Sequence, residues 1–157
     1  MPRSFEFEIS SNLAAPPESV WERISSPAGV NDELRPIFRM TFPKEVERLD
    51  PSTVPIGSRI ARSWVLLLGV IPIDYDDVTL VRVDTGRGFL ERSPMLTQRS
   101  WEHERTIEPL GDGCRLTDRV RFEPRLLVAG RPYRGIARRL FRHRHRRLRL
   151  RFGGAPA

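Results

Sequence analysis

His103, Arg105 and Asp118 are the side chains of this 157-residue chain whose types and spacing suit proton transfer or the anchoring of a ligand's polar end. His103 and Arg105 are two residues apart, so on a β-strand both point to one face. A carboxylate beside an imidazole orients the ring and favours its protonated form, as a general acid or base requires. His103 and Asp118 are therefore the candidate catalytic pair, and all three residues are candidate ligand contacts. The structural alternative is that Asp118 pairs with Arg105 and keeps an inward charge satisfied, while His103 donates to a backbone carbonyl.

Other chemistries find no footing. His143 and His145 are two apart, which on a helix puts them on different faces and prevents joint chelation. Cys114 is the only cysteine, so an intramolecular disulfide and a multi-cysteine zinc site are excluded. It also lacks an evident base. The sequence has no P-loop, dinucleotide fingerprint or Gly-x-Ser-x-Gly elbow. No metal and no cofactor are expected.

The elements that must position these residues follow from periodicity. Phe5, Phe7, Ile9, Ser11 and Leu13 alternate with polar residues and read as a half-buried strand. Ala15-Pro16-Pro17-Glu18 opens a short helix carrying Val20, Trp21 and Ile24 on one face, and a second turn of helix follows around Pro27 to Asp32. Ile37 to Phe42 is apolar, and a connection runs through Pro43, Pro51 and Pro55. Ser58 to Leu68 reads as a strand with Ile60, Trp64, Leu66 and Leu68 on one face. Asp77 to Asp84 and Gly88 to Ser93 flank the hairpin signal Thr85-Gly86-Arg87.

Strands Arg99 to Glu108 and Cys114 to Glu123 can be registered by charge. If residues whose numbers sum to 223 lie opposite, Glu102 meets Arg121, Glu104 meets Arg119 and Glu108 meets Arg115. The other face then pairs Trp101 with Phe122, His103 with Val120, Arg105 with Asp118 and Ile107 with Leu116. A slip of one residue destroys both sets.

From about Arg131 to Phe152 the period becomes helical, with Tyr133, Ile136, Ala137, Leu140, Phe141, Leu148 and Phe152 forming an apolar stripe. Arg142 to Arg147 interrupts it. The charge is unevenly divided: residues 1–130 hold 17 basic and 20 acidic residues, a net −3, whereas residues 131–157 hold 10 arginines and no acid. A solvated face is the plain reading of these arginines. The functional one is an anionic surface contact through Arg142, Arg144, Arg146 and Arg147, with an anionic membrane as partner. Nucleic acid is the weaker partner, because residues 1–130 are net acidic and no aromatics interleave the 142–147 run.

The expected organisation is one α+β domain over residues 1–152 and a short tail over 153–157. No apolar run approaches the ~18–20 residues that cross a bilayer. The N-terminus has no apolar signal core, so a cytoplasmic protein is expected. Oligomeric state is not legible. A strand, one or two short helices, about six antiparallel strands and a long helix bury all their apolar faces only if a curved sheet wraps the helix. A space between sheet and helix results.

This order, together with its residues, resembles the helix-grip superfamily. That superfamily includes the START lipid-transfer domains, the birch-pollen-allergen-like proteins and the bacterial polyketide cyclase/dehydrase-like proteins. The likeness rests on Phe7-Glu8-Ile9 followed by Ala15-Pro16-Pro17-Glu18-Ser19-Val20-Trp21, and on Gly57-Ser58-Arg59-Ile60. It rests above all on Trp101-Glu102-His103-Glu104-Arg105 with Gly113-Cys114-Arg115-Leu116-Thr117-Asp118-Arg119-Val120, similar to a hairpin of the bacterial branch. The resemblance implies a curved sheet of about seven strands around a long C-terminal helix, with a hydrophobic ligand cavity between them. The arginine-rich C-terminal helix departs from the pattern.

By strand parity and this resemblance, the expected ligand-binding residues are Trp64, Met95, Trp101, His103, Arg105, Asp118, Val120, Phe122 and Tyr133. The expected function is binding or transport of a small hydrophobic or amphipathic molecule, such as a lipid or polyketide. The first alternative is a cyclase/dehydratase-type enzyme using His103 as acid and base. The second is binding to an anionic membrane or nucleic-acid surface through the arginine-rich helix.

Overall fold

The computed structural model describes residues 3–157. β1 (Phe5–Leu13) turns through Pro16 into α1 (Pro17–Ile24), which buries Val20, Trp21 and Ile24. α2 (Pro27–Leu34) starts where Ser26 Oγ accepts the Gly29 N–H at 3.1 Å, an N-terminal cap of the usual kind. Then come β2 (Phe38–Met40), β3 (Arg59–Leu67), β4 (Ile71–Asp84), β5 (Gly88–Ser93), β6 (Gln98–Leu110) and β7 (Gly113–Pro124). A 3-10 turn over Leu127–Ala129 leads into α3 (Gly130–Phe152), and β8 (Gly154–Pro156) closes the chain. The strands form one antiparallel sheet in the order β2-β3-β4-β5-β6-β7-β1-β8. This is the α+β architecture expected, with eight strands in place of about seven.

The β6–β7 register is the one read from charge: Glu102 faces Arg121, Glu104 faces Arg119, and Arg105 faces Asp118. Two expectations need correction. The tail after the helix is a strand, because Gly153 and Gly154 adopt positive φ and fold Ala155 back onto Asn12 of β1. A Cβ on Gly154 would lie 1.9 Å from the Asn12 carbonyl oxygen, so only glycine fits there. Trp64 was expected on the same face as Ile60. The pairing of β3 with β4 slips between Arg59 and Ala61, and this bulge turns the following residues over. Ser63 and Val65 then face inward, while Trp64 remains 40% exposed and packs edge-on to Tyr75.

The core is layered along the sheet. One cluster gathers Leu13, Val20, Trp21, Ile24, Ile107, Leu116 and Leu148. The other gathers Phe7, Trp101, Val120, Phe122, Ala137 and Phe141. Between them, at the intervening inward positions of four elements, stand Ser11 of β1, His103 and Arg105 of β6, Asp118 of β7, and Arg144 and His145 of α3. The interruption in the helical stripe is thus a polar layer between two apolar ones. Among the described residues no helix is long and apolar enough to cross a membrane.

Candidate functional site

Asp118 is fully buried and accepts four hydrogen bonds. His103 Nε2 and Arg105 Nε reach Oδ1, each at 2.7 Å, and Arg105 Nη2 and His145 Nε2 reach Oδ2 at 2.7 and 2.8 Å. Four contacts fill the acceptor sites of an ionised carboxylate. Burial alone pushes the Asp118 carboxyl upward, but the charges of Arg105 and His103 outweigh it and hold the group well below the usual carboxylate range.

The far side of Arg105 engages Glu33 of α2, Nη1 on Oε1 at 2.8 Å and Nη2 on Oε2 at 3.0 Å. Glu33 also takes Arg144 Nε at 2.8 Å. Burial opposes its ionisation, yet Arg105 and Arg144 together lower its pKa. On the other flank, Ser11 Oγ lies 2.8 Å from His145 Nδ1 and accepts Arg149 Nη1 at 2.8 Å, leaving its own proton for the imidazole. Each buried charge in this layer has a hydrogen-bonded counter-charge, which makes it a clamp holding α2 and α3 to the sheet.

Above the clamp lies a cavity of about 350 Å³ between α2, α3 and the sheet, a size within the range of small-molecule pockets. Its walls are mainly apolar and include Leu34, Phe38, Val65, Leu80, Phe89 and Phe141. The expected ligand contacts divide in two. Met95, Trp101, His103 and Tyr133 line the cavity. Arg105, Asp118, Val120 and Phe122 are buried outside its walls, the first two in the clamp and the last two in the core cluster. Trp64 is on the outer face. His103 joins both worlds: its Nε2 is held by Asp118, and its ring meets Phe89 and Phe141 edge-on at 5.2 and 5.0 Å.

The arginines of α3 also divide. Arg144 is buried on Glu33, and Arg147 bonds the Asp32 carbonyl and carboxylate at 3.0 and 3.1 Å. Arg142 and Arg146 are exposed.

Sequence reasoning missed the cavity's acidic lining. Asp74 and Asp76 of β4 and Glu91 of β5 all border the cavity and all are buried. Asp74 takes the Thr97 hydroxyl and the Tyr75 N–H, but burial dominates and raises its pKa. Burial, with the neighbouring Glu91 second, raises Asp76 well above the ordinary value. Burial and the nearby Asp74 likewise raise the Tyr133 phenol. The available signal was parity: Asp74, Asp76 and Val78 alternate with Tyr75 and Asp77 up to the inward Leu80. Among the described residues, no three His, Cys, Asp or Glu side chains converge as a metal-ligating group.

The family model described as "Domain of unknown function (DUF8410)" matches residues 11–152. No curated protein matches the chain. Among solved structures, protein CV1439 from Chromobacterium violaceum superposes with a TM-score of 0.70 at 14% identity, covering 98% of this chain and 99% of that one. A START superfamily protein from Mycobacterium smegmatis gives 0.66 at 15% identity over 95% of this chain and 96% of its own. DynU16, a protein of the dynemicin biosynthetic locus, gives 0.59 at 15% identity, with 96% of this chain covering 48% of that one. These likenesses show the helix-grip fold.

Proposed function

Since the chain belongs to the family described as "Domain of unknown function (DUF8410)", we propose from the site itself that it binds a small hydrophobic or amphipathic molecule between sheet and helix. The observation that carries this reading is the apolar cavity of about 350 Å³ lying over a polar clamp. The clamp ties α2 and α3 to the sheet beside the cavity without filling it. Removal of apolar ligand surface from water supplies the affinity, at roughly 25 cal/mol per Å² before the costs of association. A carrier role fits this chemistry, since no step beyond burial is required of the walls.

The test is calorimetric titration with 1-octanol, in which uptake into the cavity produces a negative heat-capacity change. Ala137 borders the cavity on α3, and Ala137→Trp fills it and abolishes the titration. Binding that survives in a folded Ala137→Trp protein overturns the cavity as the site.

One observation favours a second reading, an enzyme of the cyclase/dehydratase type. His103 presents its ring to the cavity while Asp118 fixes Nε2, an orientation suited to proton transfer beside an enolisable carbonyl. On this reading His103 is the catalytic residue and Asp118 the positioning one, since Asp118 has no acceptor site left for a substrate.

A further inference from the structure

The buried acids of this protein fall into two kinds. Glu33 and Asp118 are matched by arginines: Arg105 bridges both, and Arg144 adds a second cation to Glu33. Asp74, Asp76 and Glu91 have no such match. Among the described residues no ion pair reaches any of them. Asp74 is at least hydrogen-bonded, and Glu91 accepts the Ser93 hydroxyl at 3.0 Å. Asp76 is only 4% exposed, borders the cavity, and its Oδ1 is buried with no hydrogen-bond partner. Buried polar atoms in native proteins are nearly always satisfied, so an orphaned carboxylate oxygen at a cavity wall marks a place where a ligand group belongs.

We infer that Asp76, seconded by Glu91, receives a protonated amine carried on an apolar body. The inference rests on the reading that the cavity binds an amphipathic molecule, and it assigns that molecule's polar end. In its ionised form Asp76 accepts and does not donate, so the partner that its Oδ1 then lacks is a donor. Two acidic side chains that meet in the cavity wall, one from β4 and one from β5, with no cation paired to either among the described residues, favour a charged donor over a hydroxyl. A metal ion fits poorly, because among the described residues no three ligating side chains converge there. The polar end first expected at His103, Arg105 and Asp118 thus moves to the opposite sign of charge, since Arg105 and Asp118 already satisfy each other.

The groups facing Asp76 are Asp74 on its own strand, Glu91 on β5, His103 on β6 opposite Glu91, and Tyr133 and Arg144 on α3. Arg144 is held away by Glu33, and Tyr133 is a neutral phenol at neutral pH. Burial and the neighbouring Glu91 make Asp76 hold its proton more tightly than an exposed carboxyl does. Where Asp76 carries its proton, entry of R–NH3⁺ breaks the Asp76 O–H bond and the proton passes to solvent. The ammonium then faces a carboxylate, with no change in covalent bonding on the ligand. Amine binding releases a proton and strengthens as pH rises, up to the amine's own pKa near that of lysine, about 10.4.

The probes are octylamine, 1-octanol and octanoate, titrated calorimetrically into the wild-type protein in two buffers of different ionisation enthalpy. The expected result is octylamine binding roughly tenfold or more tighter than 1-octanol, octanoate weakest, and proton release with octylamine alone. Asp76→Asn should abolish the amine preference and the proton release while 1-octanol still binds, and Glu91→Gln should reduce both. Equal affinity for amine and alcohol, or tighter octanoate, overturns the inference and leaves the apolar cavity standing. Failure of all three probes overturns both. An unchanged amine preference in Asp76→Asn, with the fold intact by circular dichroism, overturns the assignment to Asp76.

Discussion

Arg105 and Asp118 face each other across β6 and β7, and one guanidinium edge holds both carboxylate oxygens at 2.7 Å. The opposite edge holds Glu33 of α2, so a single arginine joins the sheet to a helix far away in sequence. The planar fork of arginine makes two bidentate pairings possible from one side chain. Two carboxylates around one guanidinium leave an excess negative charge, which Arg144 offsets. Removing any member strands the others in a dry interior.

Arg105→Met is therefore expected to destabilise the protein by about 3–5 kcal/mol, the usual cost of breaking a buried pair from one side. Urea unfolding checks it, with an unchanged m-value showing that the native surface is kept. A loss below about 1 kcal/mol, the range of surface pairs, would refute the clamp. Replacing Glu33, Arg105 and Asp118 together by apolar residues of similar size should cost less than the single change, because no charge is then stranded.

The pH dependence has a defined sign. Glu33 and Asp118 have folded pKa values below their unfolded ones. Their stabilisation is complete above the unfolded carboxylate pKa of about 4. It is lost as pH falls through the folded values, where protonation removes the charge that the arginines bind. Denaturation midpoints should fall steeply below about pH 4, and Asp118→Asn should flatten that limb while lowering the neutral plateau.

Asp76 acts in the reverse sense. Its folded pKa is raised, so the folded state binds the proton more tightly than the unfolded chain does. Its contribution is full below the unfolded value and declines as pH rises through the folded one. Asp76→Asn should leave low-pH stability nearly unchanged and raise stability on the alkaline side relative to wild type. A parallel displacement of the whole pH curve would show that Asp76 does not titrate in that window.

How much of this was legible in the sequence depended on where the determining contact lies. The β6–β7 register was readable because Glu102, Glu104 and Glu108 must find Arg121, Arg119 and Arg115 directly across one hairpin. Trp64 was misplaced because alternation counts residues, and the bulge beside Ala61 breaks the count without leaving a glycine or proline as a mark. Arg144 and His145 looked like a break in an apolar stripe because their partners, Glu33 and Asp118, come from elements distant in sequence. Asp74 and Asp76 were passed over because the strand expected from Asp77 begins at Ile71, before Pro72. Local period and hairpin charge are sequence properties; a satisfied buried charge is a tertiary one.

Residue His103 separates the carrier reading from the enzymatic one. His103→Gln keeps an amide donor within reach of Asp118 but removes a group that can shuttle a proton. Binding of 1-octanol should change by less than about threefold, since the ring supplies one side of an otherwise apolar wall. Under the carrier reading the variant remains functional in ligand transfer between vesicles. Wild-type turnover of an enolisable carbonyl compound that His103→Gln loses with binding intact would favour the enzymatic reading of the histidine.

The arginines of α3 give the last test, because burial divides them into two sets. Arg144→Ala removes one of the two cations on Glu33 and should cost about 2 kcal/mol, typical for a hydrogen bond to a charged group. Arg142 and Arg146 are exposed, and neutralising both to Gln should leave stability within about 0.5 kcal/mol. If the helix docks on an anionic membrane, these two carry the contact, at about 1 kcal/mol each near such a surface. Wild-type protein should then float with phosphatidylglycerol vesicles at low salt, and the Arg142→Gln/Arg146→Gln variant should not. Absence of flotation by the wild type would make the helix a strut whose charges serve the interior, with Arg142 and Arg146 left as solvated residues.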